Sequence, residues 1–102
     1  TPPCVVLSGR ELTFLAPPEI RLRLPVGLRL SLFPMGSVTG QSEGLRWPID
    51  GLTFTPDGRI GTSNQVTDAD VRLRFNARRM LVILPLKALD AVLNALSDVR
   101  GG

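Results

Sequence analysis

The sequence predicts an all-β, antiparallel domain of about eight strands, followed by one C-terminal amphipathic helix. Three observations favour this fold class. Apolar and polar residues alternate through most of the chain up to about residue 84, as expected for strands with one face in a core. Turn-forming residues recur at intervals too short for the crossovers that parallel strands need. Near residue 85 the apolar spacing changes to three or four. Eight strands are enough for either a sandwich or a barrel.

The individual strands and turns follow from this alternation. The clearest strands are residues 20–24, 28–32 and 71–75, where apolar residues alternate with arginine or serine. Turns are predicted at residues 8–9, 17–18, 25–27, 34–36, 42–44, 56–58 and 76–78. Pro56-Asp57-Gly58 is the strongest hairpin signal, because proline presets the first turn angle and glycine accepts a positive φ. The phenylalanines are predicted to be core residues: Phe14, Phe33, Phe54 and Phe75.

The predicted C-terminal helix covers residues 86–97. Its apolar residues are spaced three or four apart and would share one face: Leu86, Leu89, Val92, Leu93 and Leu96. Pro85 provides a suitable first turn because its fixed φ is compatible with a helix.

Composition restricts the function. Residues 1–102 are expected to form a single domain, and the start without methionine leads us to expect a fragment of a longer protein. The longest apolar run, residues 80–84, is too short for a membrane span. Cys4 is the only cysteine and histidine is absent, which argues against a disulfide, a cysteine metal site and self-contained catalysis. The lone cysteine fits a reducing cytoplasm.

Two charged patterns have competing interpretations. Five strand arginines could form a nucleic-acid stripe, but a solvated sheet face is favoured because neighbouring exposed aromatic residues are missing: Arg21, Arg23, Arg29, Arg72 and Arg74. Asp68 and Asp70 resemble a magnesium-binding pair but are better explained as turn formers. No glycine-rich phosphate loop precedes the helix.

The segment from residue 44 to residue 64 offers a possible ligand site. Trp47, the only tryptophan, could stack on a flat or cationic ligand or could be a core residue. Ser63 and Asn64 could hydrogen-bond the edge of a polar ring or could simply form a turn. The residues themselves leave both questions open.

An ordered set of motifs resembles the thiamin-binding C-terminal domain of thiamin pyrophosphokinases. The set comprises LRLSLFPMGSVTG, GLRWPIDGLTF, GTSN and a final MLVILPL, and it covers residues 28–86. Gly44 to Pro48 matches the G-L-[KR]-[YW]-[PN] pattern of that family, and Thr62-Ser63-Asn64 matches its T-S-N turn. The helix after Leu86 extends beyond the point where many relatives end.

The resemblance implies a jelly-roll-like antiparallel β-sandwich and a share in thiamin diphosphate synthesis. It implies that Trp47 contacts the thiamin rings. It also implies that Thr62, Ser63 and Asn64 line the pocket and supply hydrogen bonds to the aminopyrimidine. A complete enzyme would use ATP and Mg²⁺ in an N-terminal nucleotide-binding domain, and thiamin would lie at a homodimer interface. This domain alone would bind neither ATP nor Mg²⁺ and would be inactive. Gln41 and Asp50 are further candidates outside the main set.

The resemblance also implies a cytoplasmic protein with no nucleic-acid or membrane partner. Two alternatives remain at this point: a basic β-barrel that binds nucleic acid, suggested by the net charge of +3 and the strand arginines, and a purely structural dimerisation domain.

Overall fold

The computed structural model describes residues 5–57 and 63–101. Within these ranges the strands are β1 (Val5–Ser8), β2 (Glu11–Leu15), β3 (Glu19–Arg23), β4 (Arg29–Pro34), β5 (Val38–Glu43), β6 (Thr53–Phe54), β7 (Ser63–Gln65), β8 (Asp70–Phe75) and β9 (Met80–Pro85). One turn of 3-10 helix (Leu86–Ala88) and the helix α1 (Leu89–Gly101) follow.

The strands form two antiparallel sheets packed face to face. The five-stranded sheet has the order β1-β2-β9-β4-β7, and the four-stranded sheet has the order β3-β8-β5-β6. Alternate residues of the strands point into the space between the sheets, as the sequence alternation requires. The predicted all-β sandwich is confirmed, and the barrel alternative is wrong because the strands form two open sheets.

Most turns connect the two sheets rather than neighbouring strands of one sheet. In the described part of the chain, only β1–β2 and β5–β6 are consecutive strands that pair with each other. The hairpin predicted at Pro56 to Gly58 extends into residues 58–62, which lie outside the described residues. The described strands on either side are in different sheets, since β6 pairs with β5 and β7 pairs with β4. Turn-forming residues mark where the chain reverses direction. Which strands then pair with each other depends on how the whole set of strands buries its apolar side chains.

The core contains the alternating apolar residues of both sheets, with one aromatic exception. Phe14, Phe54 and Phe75 are buried as predicted, but Phe33 is 42% exposed. Phe33 lies between Leu32 and Pro34, which are both buried, so the alternation of β4 places Phe33 on the outer face.

The C-terminal helix differs from its prediction in bounds and in face. The predicted span of 86–97 begins with the 3-10 turn, and α1 continues to Gly101. The buried residues of this segment are Ala88, Val92, Ala95 and Leu96, whereas Leu86 and Leu93 are exposed. The helix α1 packs against β3. Val92 and Leu96 of the predicted face are thus buried and Leu89 packs against the core, but the alanines take the places predicted for Leu86 and Leu93. No helix in the described part of the chain is long and apolar enough to cross a membrane.

The outer face of the five-stranded sheet carries two rows of side chains, one of which ends at β7. One row across it runs Val6, Thr13, Ile83, Ser31 and Ser63, as the strand register gives. A second row runs Leu15, Leu81 and Phe33. The polar end of the first row, at Ser31 and Ser63, therefore lies beside a partly exposed apolar surface.

Candidate functional site

The segment that contains Trp47 lies along the free edge of β7. Leu45 pairs with Val66 in an isolated bridge, and the backbone N–H of Arg46 donates to the carbonyl of Gln65 over 2.9 Å. Gly44 allows the chain to turn into this segment while it passes close to β8. Its φ is +85°, and a Cβ atom there would lie 2.8 Å from the carbonyl oxygen of Asp70. The chain therefore turns at Gly44 and extends the five-stranded sheet beyond β7.

Asn64 continues this edge with its side chain instead of its backbone. Its Oδ1 accepts hydrogen bonds from the backbone N–H groups of Trp47 at 3.1 Å and Gln65 at 2.9 Å. Its Nδ2 donates to the carbonyl of Trp47 over 2.7 Å. Asn64 is only 3% exposed, so these bonds replace those that water would otherwise supply. The amide thus fixes the backbone of Trp47.

Trp47 itself is a surface residue. Its side chain is 54% exposed, so the interpretation of Trp47 as a core residue is wrong. The guanidinium carbon of Arg46 lies 4.8 Å from the centroid of the indole ring, within the range of a cation–π contact. The Nη1 of Arg46 also donates to Oε1 of Gln65 over 3.3 Å. The indole therefore has one cationic neighbour and a large accessible surface.

Ser63 lies on the outer face next to Arg29 and Ser31. Its Oγ accepts from Nε of Arg29 at 3.0 Å and from Nη2 of Arg29 at 2.7 Å. The Oγ atoms of Ser63 and Ser31 are 3.4 Å apart. Because Ser63 and Asn64 are adjacent in β7, the hydroxyl and the exposed indole lie at the same end of the sheet.

The other sequence candidates have different positions. Thr62 lies outside the described residues. Gln41 and Asp50 line a shallow pocket of about 180 Å³ on the four-stranded sheet, together with Ser42, Glu43, Arg72 and Arg74. Asp50 accepts a hydrogen bond from the backbone N–H of Ser42 over 3.1 Å. The Asp50 carboxylate therefore holds its loop against β5.

Sequence reasoning missed Arg29, Ser31 and Arg46 as neighbours of the site. The alternation of β4 gives the outward direction of Arg29 and Ser31, but nothing local indicates that β4 pairs with β7. Arg46 is adjacent to Trp47 in the sequence, and this adjacency could have indicated that Arg46 is part of the site.

The remaining strand arginines mostly form ion pairs. Arg21 contacts Asp70 at 2.9 Å, Arg72 contacts Glu43 at 3.6 Å, and Arg74 contacts Glu19 at 3.7 Å. These pairs support a solvated sheet face rather than a stripe for phosphate backbones. Asp70 pairs with Arg21, and Asp68 accepts from the backbone N–H of Asp70, as a turn former does. Across residues 5–57 and 63–101, no three His, Cys, Asp or Glu residues are close enough to hold a metal ion.

The fold and this edge define a two-sheet β-sandwich domain with an aromatic and polar site at the end of one sheet. The profile of the family "Thiamin pyrophosphokinase, vitamin B1 binding domain" matches residues 19–80. This match covers more than half of the chain, and the chain belongs to that family. The matched range contains Trp47, Thr62, Ser63 and Asn64.

Solved structures of thiamin pyrophosphokinases have the same fold. The enzyme from Geobacillus thermodenitrificans aligns with a TM-score of 0.69 at 10% identity, over 79% of this chain and 40% of that one. The enzyme from Bacillus subtilis aligns with a TM-score of 0.65 at 14% identity, over 81% and 41%. A thiamin pyrophosphokinase family protein from Enterococcus faecalis aligns with a TM-score of 0.56 at 16% identity, over 74% and 37%. The chain thus spans about two-fifths of each of these structures. No curated protein matches its sequence.

Proposed function

We propose that this chain supplies the thiamin half of an active site that transfers a pyrophosphoryl group from ATP to thiamin. The observation that carries the proposal is the Asn64 amide, which holds the backbone of a half-exposed Trp47 against β7, the strand that contains Ser63. An indole face suits the cationic thiazolium ring, and a serine hydroxyl can donate to or accept from an aminopyrimidine edge.

The residues of the site have separate roles in this proposal. Trp47 stacks on the ligand, and Ser63 hydrogen-bonds to it, with Thr62 as a further lining residue. Asn64 is a positioning residue, because its amide oxygen and nitrogen are engaged by the backbone of Trp47 and Gln65. This role differs from direct hydrogen bonding of Asn64 to thiamin.

The transfer itself needs groups outside this site. Magnesium and ATP would supply charge neutralisation and the pyrophosphoryl group in a nucleotide-binding domain of the complete enzyme. In this proposal the domain contributes position, because it holds the thiamin hydroxyl toward the donor. A reaction that consumes ATP is consistent with a cytoplasmic location.

We also place a homodimer contact on the outer face of the five-stranded sheet. Leu15 and Phe33 are 44% and 42% exposed, and they flank the half-buried Leu81 in one row. A second copy covering this row would bring its own nucleotide-binding domain toward Ser63 and Trp47.

Replacing Phe33 with glutamate in the complete enzyme should shift the sedimentation equilibrium toward monomer. Leu93→Glu, on the exposed side of α1, is the matched control. A dimer unaffected by Phe33→Glu would refute this contact.

The thiamin assignment is tested by calorimetry on the complete enzyme. Trp47→Ala should weaken thiamin binding at least tenfold, equivalent to about 1.4 kcal/mol. Leu93→Ala removes a similarly exposed apolar side chain far along the sequence and should leave affinity unchanged. Equal affinities of the wild type and Trp47→Ala would remove Trp47 from the site.

The reaction is tested by turnover. The complete enzyme should convert thiamin to thiamin diphosphate with ATP and Mg²⁺, whereas the 102-residue chain should not. Absence of turnover by the complete enzyme at saturating magnesium would overturn the proposed reaction.

A further inference from the structure

Two arginines near the proposed thiamin site have neutral partners. Arg29 donates twice to the hydroxyl of Ser63, and Arg46 stacks on Trp47 and donates to the amide of Gln65. In contrast, Arg21, Arg72 and Arg74 on the other sheet each contact a carboxylate. The guanidinium charges at the edge of β7 are therefore not neutralised by the partners that hold them.

The strand register brings these two arginines to opposite sides of one residue. Arg29 in β4 lies directly across from Gln65 in β7. On the other side of β7, the backbone N–H of Arg46 bonds to the carbonyl of Gln65. The row Arg29, Gln65 and Arg46 thus places a guanidinium-bearing residue on each side of β7, and Ser63 lies on the same face two residues from Gln65.

The geometry points to an oxyanion subsite formed by Arg29 and Arg46, which takes the oxygens of a diphosphoryl group. A guanidinium presents several N–H donors in a planar fork that matches phosphate oxygens, and it binds charged oxygen more strongly than hydroxyl or amide oxygen. Both side chains are exposed, so an incoming anion can replace the Ser63 and Gln65 contacts without opening the core.

This subsite also explains the charge balance of the proposed ligand. Thiamin carries a positive thiazolium ring, and Arg46 already places a cation over the indole. The two guanidinium groups add positive charge at this edge, and a diphosphate joined to the thiazolium would bring compensating negative charge. The thiamin part of the ligand rests on the proposed function, but the oxyanion part rests on the two arginines alone.

Binding of inorganic pyrophosphate to the 102-residue chain tests the subsite directly. The titration is done at low ionic strength, with Trp47 fluorescence as the reporter, because Trp47 is the only tryptophan and Arg46 stacks on its ring. We expect Arg29→Gln and Arg46→Gln each to weaken binding at least fivefold. Calorimetry on the same variants controls for a change in the fluorescence of Trp47 itself.

Arg74→Gln is the matched control, because it removes the same charge from an exposed arginine that pairs with Glu19. It should change pyrophosphate affinity less than twofold. Thermal melts of all variants establish that they are folded. Equal losses in Arg29→Gln, Arg46→Gln and Arg74→Gln, or no binding of pyrophosphate by the folded wild type, would overturn the subsite.

Two further titrations identify the source of the diphosphoryl group. Arginine-dependent binding that is tighter for thiamin diphosphate than for pyrophosphate supports the product as occupant, whereas a preference for ATP supports the donor. Pyrophosphate binding combined with failure of thiamin to bind the complete enzyme would refute the proposed function and keep the subsite. Thiamin binding to the complete enzyme, with no pyrophosphate binding to the wild-type chain, would refute the subsite and keep the proposed function.

Discussion

The edge of β7 and the outer face of the four-stranded sheet use similar residues in opposite ways. At the edge, a buried asparagine holds an exposed tryptophan, and two arginines contact only neutral groups among the described residues. On the four-stranded sheet, three arginines each contact a carboxylate on a neighbouring strand. The difference shows that partner identity, rather than the number of arginines, distinguishes a candidate binding site from a solvated surface.

The largest effect is expected from Asn64→Ala. The substitution leaves the backbone groups of Trp47 without their partner, so the free energy of unfolding should fall by about 2 to 3 kcal/mol in urea denaturation. Asn76→Ala is the matched control, because the exposed Asn76 accepts one bond from the N–H of Thr39. A loss in Asn64→Ala no larger than that in Asn76→Ala would show that the Asn64 amide does not hold this edge.

A smaller effect is expected from Gly44→Ala. A methyl group there combines a positive φ with a close contact to the carbonyl of Asp70, and it should lower the free energy of unfolding by about 2 kcal/mol. Gly51 has a φ of +80° but no atom within 4 Å of a built Cβ, so Gly51→Ala isolates the backbone cost. The two variants should differ in thermal and urea denaturation. Indistinguishable stabilities would show that the Gly44 segment moves freely away from β8.

The smallest effect is expected from Arg21→Gln on the four-stranded sheet. Both partners of its ion pair are at least half exposed, so the pair should contribute less than about 1 kcal/mol to the free energy of unfolding. A double-mutant cycle with Asp70→Asn measures this coupling, and it should decrease as salt is added. A coupling well above that value would contradict the description of this face as a set of weak surface pairs.

Much of the fold could be predicted from the sequence, but the pairing of its strands could not. The alternation in β3, β4 and β8 gives both the strands and their inward faces. The same rule applied to the context of Phe33 would have placed it outside, since its two neighbours are the buried residues. The turn residues at Pro56 do not reveal that β6 pairs with β5 whereas β7 pairs with β4, because a turn sequence is compatible with a connection between two sheets.

The sequence indicates which residues belong to the candidate site, but the fold determines which of them are in contact. Trp47 and Asn64 lie 17 positions apart, and the structure joins them through the side chain of Asn64. Both residues belong to segment 44–64, which the sequence indicates as a possible ligand site. Arg29 enters the site only because β4 pairs with β7, a contact between residues 34 positions apart.

The sequence by itself determined the fold class, the inward faces of the main strands and the motifs that resemble one family, because these depend on local periodicity and residue type. The tertiary structure decided which strands pair, which face of α1 is buried and which partner each arginine meets. Those outcomes depend on the joint burial of segments far apart in the chain, where many local choices compete for one core. The position of the Trp47 backbone on Asn64, and of Arg29 on Ser63, is the result of that competition.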